Sequence, residues 1–326
     1  MAASAPARSP LLQRLPEARG ELRADAPLAK ATWFQVGGPA EVLFRPRDLE
    51  DLETFLKLKP ADVPLTVLGA GTNVLVRDGG IDGVVVRLGK SFADIAVQGD
   101  QIVAGAAAMD VSVARAAAAA GISGMEFLSG VPGTIGGAIR MNAGAYGREL
   151  GDIIVSAEAV GSDGQRRVFS SSGLGLGYRE CAVPDSWIFV SATLRGATDA
   201  KGTIESKMSA VQAARTESQP IRSKTGGSTF ANPAESEADG AKAWQLIDQA
   251  GCRGLQRGDA MVSNLHCNFL INNGAASAAD LEALGEEVRR RVAEATGIVL
   301  RWEIRRIGNH VHGLAARDLP GEGGTT

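Results

Sequence analysis

The chain has 326 residues, 44% of them hydrophobic, and a formal net charge of −3. That length suits two or three domains with proper cores, and that charge argues against a general affinity for nucleic acid or a membrane surface. Three cysteines (Cys181, Cys252, Cys267) form no C-x-x-C, no apolar run reaches the ~18 residues of a membrane span, and MAASAPARSP lacks a signal-peptide core; a reducing, cytoplasmic setting without a metal site is expected.

Residues 1–10 are rich in Ala, Pro and Ser and read as disordered, and residues 11–23 read as a short helix interrupted near Pro16. Glu41–Pro46 reads as a strand. Asp48 is placed to cap a helix running to Leu58. Strands follow at 65–68, 74–76 and 81–88, making a first lobe over 28–91 behind an N-terminal extension, 1–27. In a second lobe, 92–200, the segments 94–97 and 101–104 form a hairpin around Gly99-Asp100. An alanine-rich helix, Asp110 to Ala120, stops at Gly121. Residues 153–160 and 166–169 pair about Ser162-Asp163-Gly164, and 187–194 is a further strand. The third lobe, 201–308, carries helices at about 204–217 and 241–250. Its best-signalled helix opens on Ser277-Ala278-Ala279-Asp280, a capping box in its Asp variant. Leu281, Leu284, Val288 and Val292 share one face of it, and Gly297 ends it. Residues 298–307 alternate as a strand, and the tail 309–326 reads as disordered, its two histidines not as ligands.

Two glycine-rich stretches interrupt this regular reading. The segment 121–144, GISGMEFLSGVPGTIGGAIRMNAG, holds Gly121, Gly124, Gly130, Gly133, Gly136, Gly137 and Gly144, with Gly147 just beyond. Such density costs backbone entropy and needs a cause. One is close approach of backbone N–H groups to an anion, with Thr134, Ser129 and Asn142 as short polar arms and Arg140 as a bidentate phosphate partner. The other is a buried, tightly turning piece of a β-rich core, and composition does not choose between them. The second stretch, LTVLGAGTNVLV at 65–76, is a strand, a turn at Gly69-Ala70-Gly71-Thr72-Asn73, and an apolar continuation. Val74 stands where a dinucleotide fingerprint needs its third glycine, and no Gly-Lys-Ser/Thr of a P-loop follows either turn.

Taken in order, Thr32-Trp33-Phe34-Gln35-Val36-Gly37-Gly38-Pro39-Ala40, Leu68 to Val76, Gly130-Val131-Pro132-Gly133-Thr134-Ile135-Gly136-Gly137-Ala138 and Met141-Asn142-Ala143-Gly144-Ala145-Tyr146-Gly147 resemble the UDP-N-acetylenolpyruvoylglucosamine reductase family. The resemblance runs from about Leu28 to Gly308. It implies an α+β chain: a vanillyl-alcohol-oxidase/PCMH-type FAD-binding fold of two lobes, then a C-terminal α+β substrate-binding domain. It implies an NADPH-dependent flavoenzyme of peptidoglycan synthesis that reduces UDP-N-acetylglucosamine enolpyruvate to UDP-N-acetylmuramate. Hydride would reach the enolpyruvyl C3 from reduced FAD. The FAD would contact Gly69, Ala70, Gly71, Thr72, Asn73, Gly133, Thr134, Gly136, Gly137, Ala138, Arg140, Asn142, Ala143 and Gly144. Lobes one and two hold no histidine and only Cys181, so non-covalent FAD is expected. No tyrosine lies between Arg179 and Ser228, where the longer form of the family carries a tyrosine loop.

Three residues carry the implied chemistry. In Ile298 to Arg305, Glu303 shares a strand face with Arg301 and Arg305, and by pattern alone it is a solvated, paired glutamate. The resemblance makes it the C-terminal catalytic glutamate. In Gly226-Gly227-Ser228-Thr229-Phe230, Ser228 is by pattern a loop serine, since no histidine–aspartate triad can be assigned to it; the resemblance makes it the proton donor to C2. In Gly177-Tyr178-Arg179, the arginine is either a surface cation–π partner or, by resemblance, the cation that answers charge growing on the substrate carboxylate. The three lie far apart in the chain and would converge only through the fold. The family continues Ser-x-Phe with Lys-Asn-Pro; here Ala231-Asn232-Pro233 follows, and Lys224 or Arg222 is the substitute for the missing lysine. Tyr178, Asn232 and His266 complete the implied substrate contacts, although His266 also reads as a satisfied core histidine. An FAD-dependent oxidase of the same fold acting on a sugar or alcohol is the alternative activity.

Overall fold

A computed structural model describes residues 10–311, which divide into two compact units. The units interleave along the chain. The first is assembled from residues up to Ala26, Glu41–Ala70 and Gly83–Glu217; the second takes Pro27–Ala40, Gly71–Asp82 and the chain from Ser218.

Unit 1 begins with a short helix α1 (Pro10–Arg14) and strand β1 (Glu21–Pro27). The expected helix therefore stops early, and part of the N-terminal extension enters a sheet. β2 (Pro39–Arg45), β3 (Leu65–Val67) and β5 (Ile81–Val86) follow, and β1, β2, β5 and β3 form one sheet in that order; β4 (Val74–Val76), between β3 and β5 in sequence, belongs to unit 2. Helix α2 (Leu49–Leu58) lies between β2 and β3 in sequence and is capped by Asp48, whose side chain accepts the Asp51 N–H. It buries Leu52, Phe55 and Leu56, and Phe55 stacks on Phe44 of β2 at 4.0 Å.

A five-stranded antiparallel sheet forms the rest of unit 1. Its order is Arg166–Ser170, Ile154–Val160, Ile188–Arg195, β7 (Gln101–Gly105) and β6 (Ile95–Gln98). The expected hairpins are present, with Gly99 and Gly164 at positive φ in their turns. Helix α3 (Asp110–Ala119) ends at Gly121, also left-handed at φ +70°. The glycine-rich stretch opens on a two-residue strand, Ile122–Ser123, paired with Ala197–Thr198, and most of the rest is turn and helix. It forms a 3-10 turn, Glu126–Gly130, then the short helix α4 (Ile135–Arg140). Ile135, Ala138 and Ile139 of α4 join Val113, Leu128 and Leu194 in one core. Helix α5 (Lys201–Ser218), read from sequence as the start of the third lobe, buries Ile204 and Met208 in that same core.

Unit 2 holds a four-stranded antiparallel sheet ordered Lys224–Thr225, Leu270–Asn272, Ala260–Val262, Gln256–Arg257. Its helices are α6 (Glu235–Ala238), α7 (Ala243–Gln249) and α8 (Ala278–Thr296). The predicted face of α8 is buried: Leu281, Leu284, Val288 and Val292 sit beside Phe34, Val36 and Leu75 in one core. Each such side chain contributes about 1.5–3 kcal/mol when fully buried. The predicted strand 298–307 is broken. Only Arg305–Ile307 pairs, parallel to β4, while Trp302 forms an isolated bridge to Phe230. Successive N–H groups turn to different partners, Glu303 to Thr229 and Arg305 to Asn73, so no single ladder runs the length. The alternation survives in burial, with Leu300 and Ile304 inside and Val299 and Arg305 outside.

The disorder expected at residues 1–10 and after Gly308 falls for the most part on residues outside those described, as does His312. Among the described residues no helix is long and apolar enough to cross a membrane.

Candidate functional site

Within unit 1 the two glycine stretches meet. A Cβ placed on Gly69 would stand 3.2 Å from Thr134 Oγ1, and one on Gly137 3.8 Å from the same oxygen. Both glycines are exposed, while Thr134 is nearly buried. The turn carrying Thr134 is fixed from behind. Met109 bridges Thr134, Asp110 N donates to Gly133 O at 3.1 Å, and Gly136 N donates to Ala106 O at 2.9 Å. Ala138 N closes onto Thr134 O, and Ala143 N onto Ala138 O. A small hydroxyl facing two glycines leaves room for a bulky anion against the backbone, which is what a diphosphate needs. The residues present therefore fit the FAD diphosphate.

Two polar residues expected at the cofactor have other bonds. Arg140 donates to Val183 O and, at 2.8 Å, to Trp187 O, lies 3.4 Å from Asp185, and covers the Phe189 ring at 4.8 Å. It fastens the 183–189 segment to α4. Asn142 has no exposed surface and spends its amide on Gly177 O and Gly151 N. Short polar residues after a glycine run invite a ligand reading; the carbonyls that claim them lie some 35 to 47 residues further on.

Arg179 belongs to unit 1. Leu176-Gly177 and Glu180-Cys181 pair across a two-residue turn, Tyr178-Arg179, with Arg179 at φ +61°. Its guanidinium donates to Gly144 O at 3.3 Å and lies 5.0 Å from the Tyr178 ring. The cation–π pair read from sequence is thus present beside a backbone bond.

Ser228 and Glu303 both belong to unit 2, and there the chain brings their neighbourhoods together. Glu303 N donates to Thr229 O at 2.8 Å, and Ala231 N donates to Arg301 O at 2.9 Å. The Asn73 amide donates to Glu303 O at 3.1 Å. Gly227 is left-handed at φ +82°, which only glycine tolerates easily. Next to it, Gly226 lies under the Phe34 ring, where a Cβ would stand 2.4 Å from Cε2. Gly71 O accepts the Trp33 N–H at 3.0 Å, and Thr72 O lies 3.9 Å from a Cβ placed on Gly227. The turn 69–73 is therefore shared out, with Gly69 and Ala70 in unit 1 and Gly71, Thr72 and Asn73 in unit 2.

Sequence reasoning left two buried residues of this loop without a role. Thr229 is 1% exposed; its hydroxyl accepts Leu270 N–H and its carbonyl serves Glu303. Asn268 holds Phe230 from both sides, accepting its N–H at 3.0 Å and donating to its C=O at 2.9 Å. Their signal was a second hydroxyl after Ser228 and an asparagine inside an apolar run. Of the other substrate candidates, Lys224 donates to Gly274 O at 3.3 Å, Arg222 is exposed, and Asn232 Oδ1 accepts the Ala243 N–H. Ala231 is buried. His266 packs edge-on against Phe269 at 4.8 Å, and burial pushes its pKa down. Among the described residues no group of His, Cys, Asp or Glu could hold a metal ion.

Residues 40–170 match the model of an FAD-binding domain, and residues 219–307 that of the UDP-N-acetylenolpyruvoylglucosamine reductase C-terminal domain. The class is thus a flavoprotein with a vanillyl-alcohol-oxidase/PCMH-type FAD-binding fold and an appended C-terminal α+β domain. A curated relative from Rhodospirillum rubrum, named UDP-N-acetylenolpyruvoylglucosamine reductase, is 55% identical over 95% of this chain and 97% of its own length. One of the same name from Parvibaculum lavamentivorans is 55% identical over 94% and 97%. The crystal structure of the reductase from Thermus caldophilus superposes with a TM-score of 0.76 at 35% identity, covering 90% of this chain and 100% of that one. The chain belongs to the UDP-N-acetylenolpyruvoylglucosamine reductase family.

Proposed function

We infer that this chain reduces UDP-N-acetylglucosamine enolpyruvate to UDP-N-acetylmuramate, with FAD as cofactor and NADPH as reductant, in peptidoglycan synthesis. FAD, when bound, would supply the hydride-transfer chemistry between NADPH and the enolpyruvyl C3. The protein does the rest. The glycine turns at Gly69-Ala70 and Gly133-Thr134, with Gly137, hold the diphosphate through backbone N–H groups and the Thr134 hydroxyl. Arg179 offers a permanent planar cation to the substrate carboxylate, where negative charge grows as C3 is reduced. Ser228 gives its proton to C2. A serine is a weak acid, so its neighbours must assist it, and Glu303 is the group for that task.

The observation that supports this assignment is the Glu303 N–H to Thr229 C=O bond, which ties the serine loop to the glutamate segment across 74 positions of sequence. Lys224, Arg222, Asn232, Tyr178 and His266 are the residues proposed to contact the substrate. The three cysteines are free thiols, in keeping with a cytoplasmic setting.

Half-reactions test the reading. Ser228→Ala is expected to keep bleaching of the flavin by NADPH. Its reoxidation by UDP-N-acetylglucosamine enolpyruvate should slow by ~10²-fold or more, the usual worth of a general acid. If both halves slow together, Ser228 is not the proton donor. Rapid reoxidation by oxygen, with indifference to the UDP-sugar, would instead mark a sugar or alcohol oxidase.

A further inference from the structure

Arg179 sits in a place that cannot hold itself. Its hairpin has only two residue pairs, Leu176 with Cys181 and Gly177 with Glu180. A pair of strands that short is unstable in water by itself, and the Ala182 N–H to Leu174 C=O bond at 2.9 Å closes its base. Arg179 itself is left-handed at φ +61°, a conformation that is strained for a non-glycine residue and persists only where the surroundings impose it.

Leu176 and Cys181 pack against the core of unit 1, and one segment, Asn142 to Gly144, reaches the turn itself. The Asn142 Nδ2 donates to Gly177 O at 3.0 Å, gripping the hairpin backbone one residue before the turn. Gly144 O, two residues further along, accepts the Arg179 guanidinium at 3.3 Å. Asn142 is itself well anchored. Its Oδ1 accepts Gly151 N–H at 2.8 Å, and a Cβ at Gly151 would crowd that oxygen at 3.3 Å. Its own φ of +39° suits asparagine better than most residues. With no exposed surface, the amide has no face to offer a ligand.

We propose that Asn142 is the positioning residue of Arg179. Its amide holds the hairpin so that the guanidinium is aimed before substrate arrives. This deepens the role assigned to Arg179 above and rests on it. The saving is preorganisation: a long, flexible side chain on a loose turn would have to be ordered during the reaction.

The test uses the flavin-loaded protein. Asn142→Gly keeps the left-handed backbone at no steric cost and deletes the amide. Asn142→Asp retains the acceptor for Gly151 N–H and, when ionised, loses the donor to Gly177. Amide hydrogen exchange in peptides covering 176–181 should quicken about tenfold in both, the loss of one buried hydrogen bond, while peptides from α3 stay at the wild-type rate. Flavin bleaching by NADPH should persist, reoxidation by the enolpyruvyl substrate should slow, and Asn142→Gly should add nothing to the defect of Arg179→Ala. Unchanged exchange over 176–181 overturns the proposal, and so does a shifted flavin absorption spectrum with the hairpin still protected. If Asn142→Gly does not fold, Asn142→Asp carries the same measurement. If Arg179→Ala alone leaves reoxidation at the wild-type rate, the role of Arg179 falls, and hairpin exchange still decides what Asn142 holds.

Discussion

Asp110 shows how a single residue can depend on its burial. It opens α3, is wholly buried, and neither carboxylate oxygen has a hydrogen-bond partner. Burial pushes its pKa well above the ordinary carboxylate range, so the neutral acid is the favoured form inside the fold. A carboxyl whose folded pKa lies above its unfolded one stabilises the fold in its protonated state. That contribution is complete below the unfolded pKa, about 3.9, and is lost as pH rises through the folded value. Asp110→Asn removes the titration. Its denaturation midpoint should therefore gain on the wild type as pH is raised from about 4 towards 8. A difference that stays constant over that range would mean that Asp110 does not titrate with a raised pKa. The same residue-scale lesson holds for Arg140 and Asn142: polar groups in a glycine-rich stretch can be spoken for by carbonyls that sequence reading does not pair with them.

At the scale of elements, α8 has the clearest local logic. Ser277 accepts the Asp280 N–H at 3.0 Å, and Asp280 accepts the Ser277 N–H at 3.1 Å, completing the box. The Asp78 carboxylate adds a second cap, accepting Ala278 and Ala279 N–H at 2.9 Å each. Three of the N–H groups that a helix start leaves without internal partners are thus met, by negative charge as well as by hydrogen bonds. Ser277→Ala should cost about 1 kcal/mol, read as a lower denaturant midpoint at unchanged slope. An unchanged midpoint would mean that Asp78 alone secures the helix start. Beneath the helix, Gly285 lies against the Trp302 indole, where a Cβ would come within 2.2 Å of the ring; the indole N–H in turn donates to Glu286 at 2.7 Å. That close approach lets Trp302 bridge Phe230, two residues beyond Ser228.

At the scale of the molecule, the interleaving of the two units has a consequence for unit 2. Its core includes Phe34, Val36 and Leu75, and Arg305–Ile307 pairs with β4. All of these partners come from upstream of residue 218. A fragment of residues 218–311 would expose the faces they cover and leave the last strand an unpaired edge. It should show no cooperative thermal transition by circular dichroism, whereas residues 10–311 should. A sharp transition in the fragment would show that its own core suffices. The match of residues 219–307 to a C-terminal domain model is therefore a statement about ancestry, and the physical unit is larger.

Local signals were legible wherever the cause lies within a few residues. The Asp48 cap, the Ser277 box, the stripe of Leu281, Leu284, Val288 and Val292, the hairpin turn at Gly164 and the glycine stops at Gly121 and Gly297 all declare themselves in this way. The ordered motifs at 32–40, 68–76, 130–138 and 141–147 were enough for the family. Only tertiary structure decided that Glu21–Pro27 joins a sheet, that 298–307 breaks, that α5 packs in unit 1, and that the amide of Asn142 goes to Gly177 and Gly151. Each of these depends on which distant donor meets which acceptor. Propensity and periodicity describe how a segment prefers to bend and which face it buries, but a hydrogen bond across tens or hundreds of residues is chosen by the packing of the whole chain.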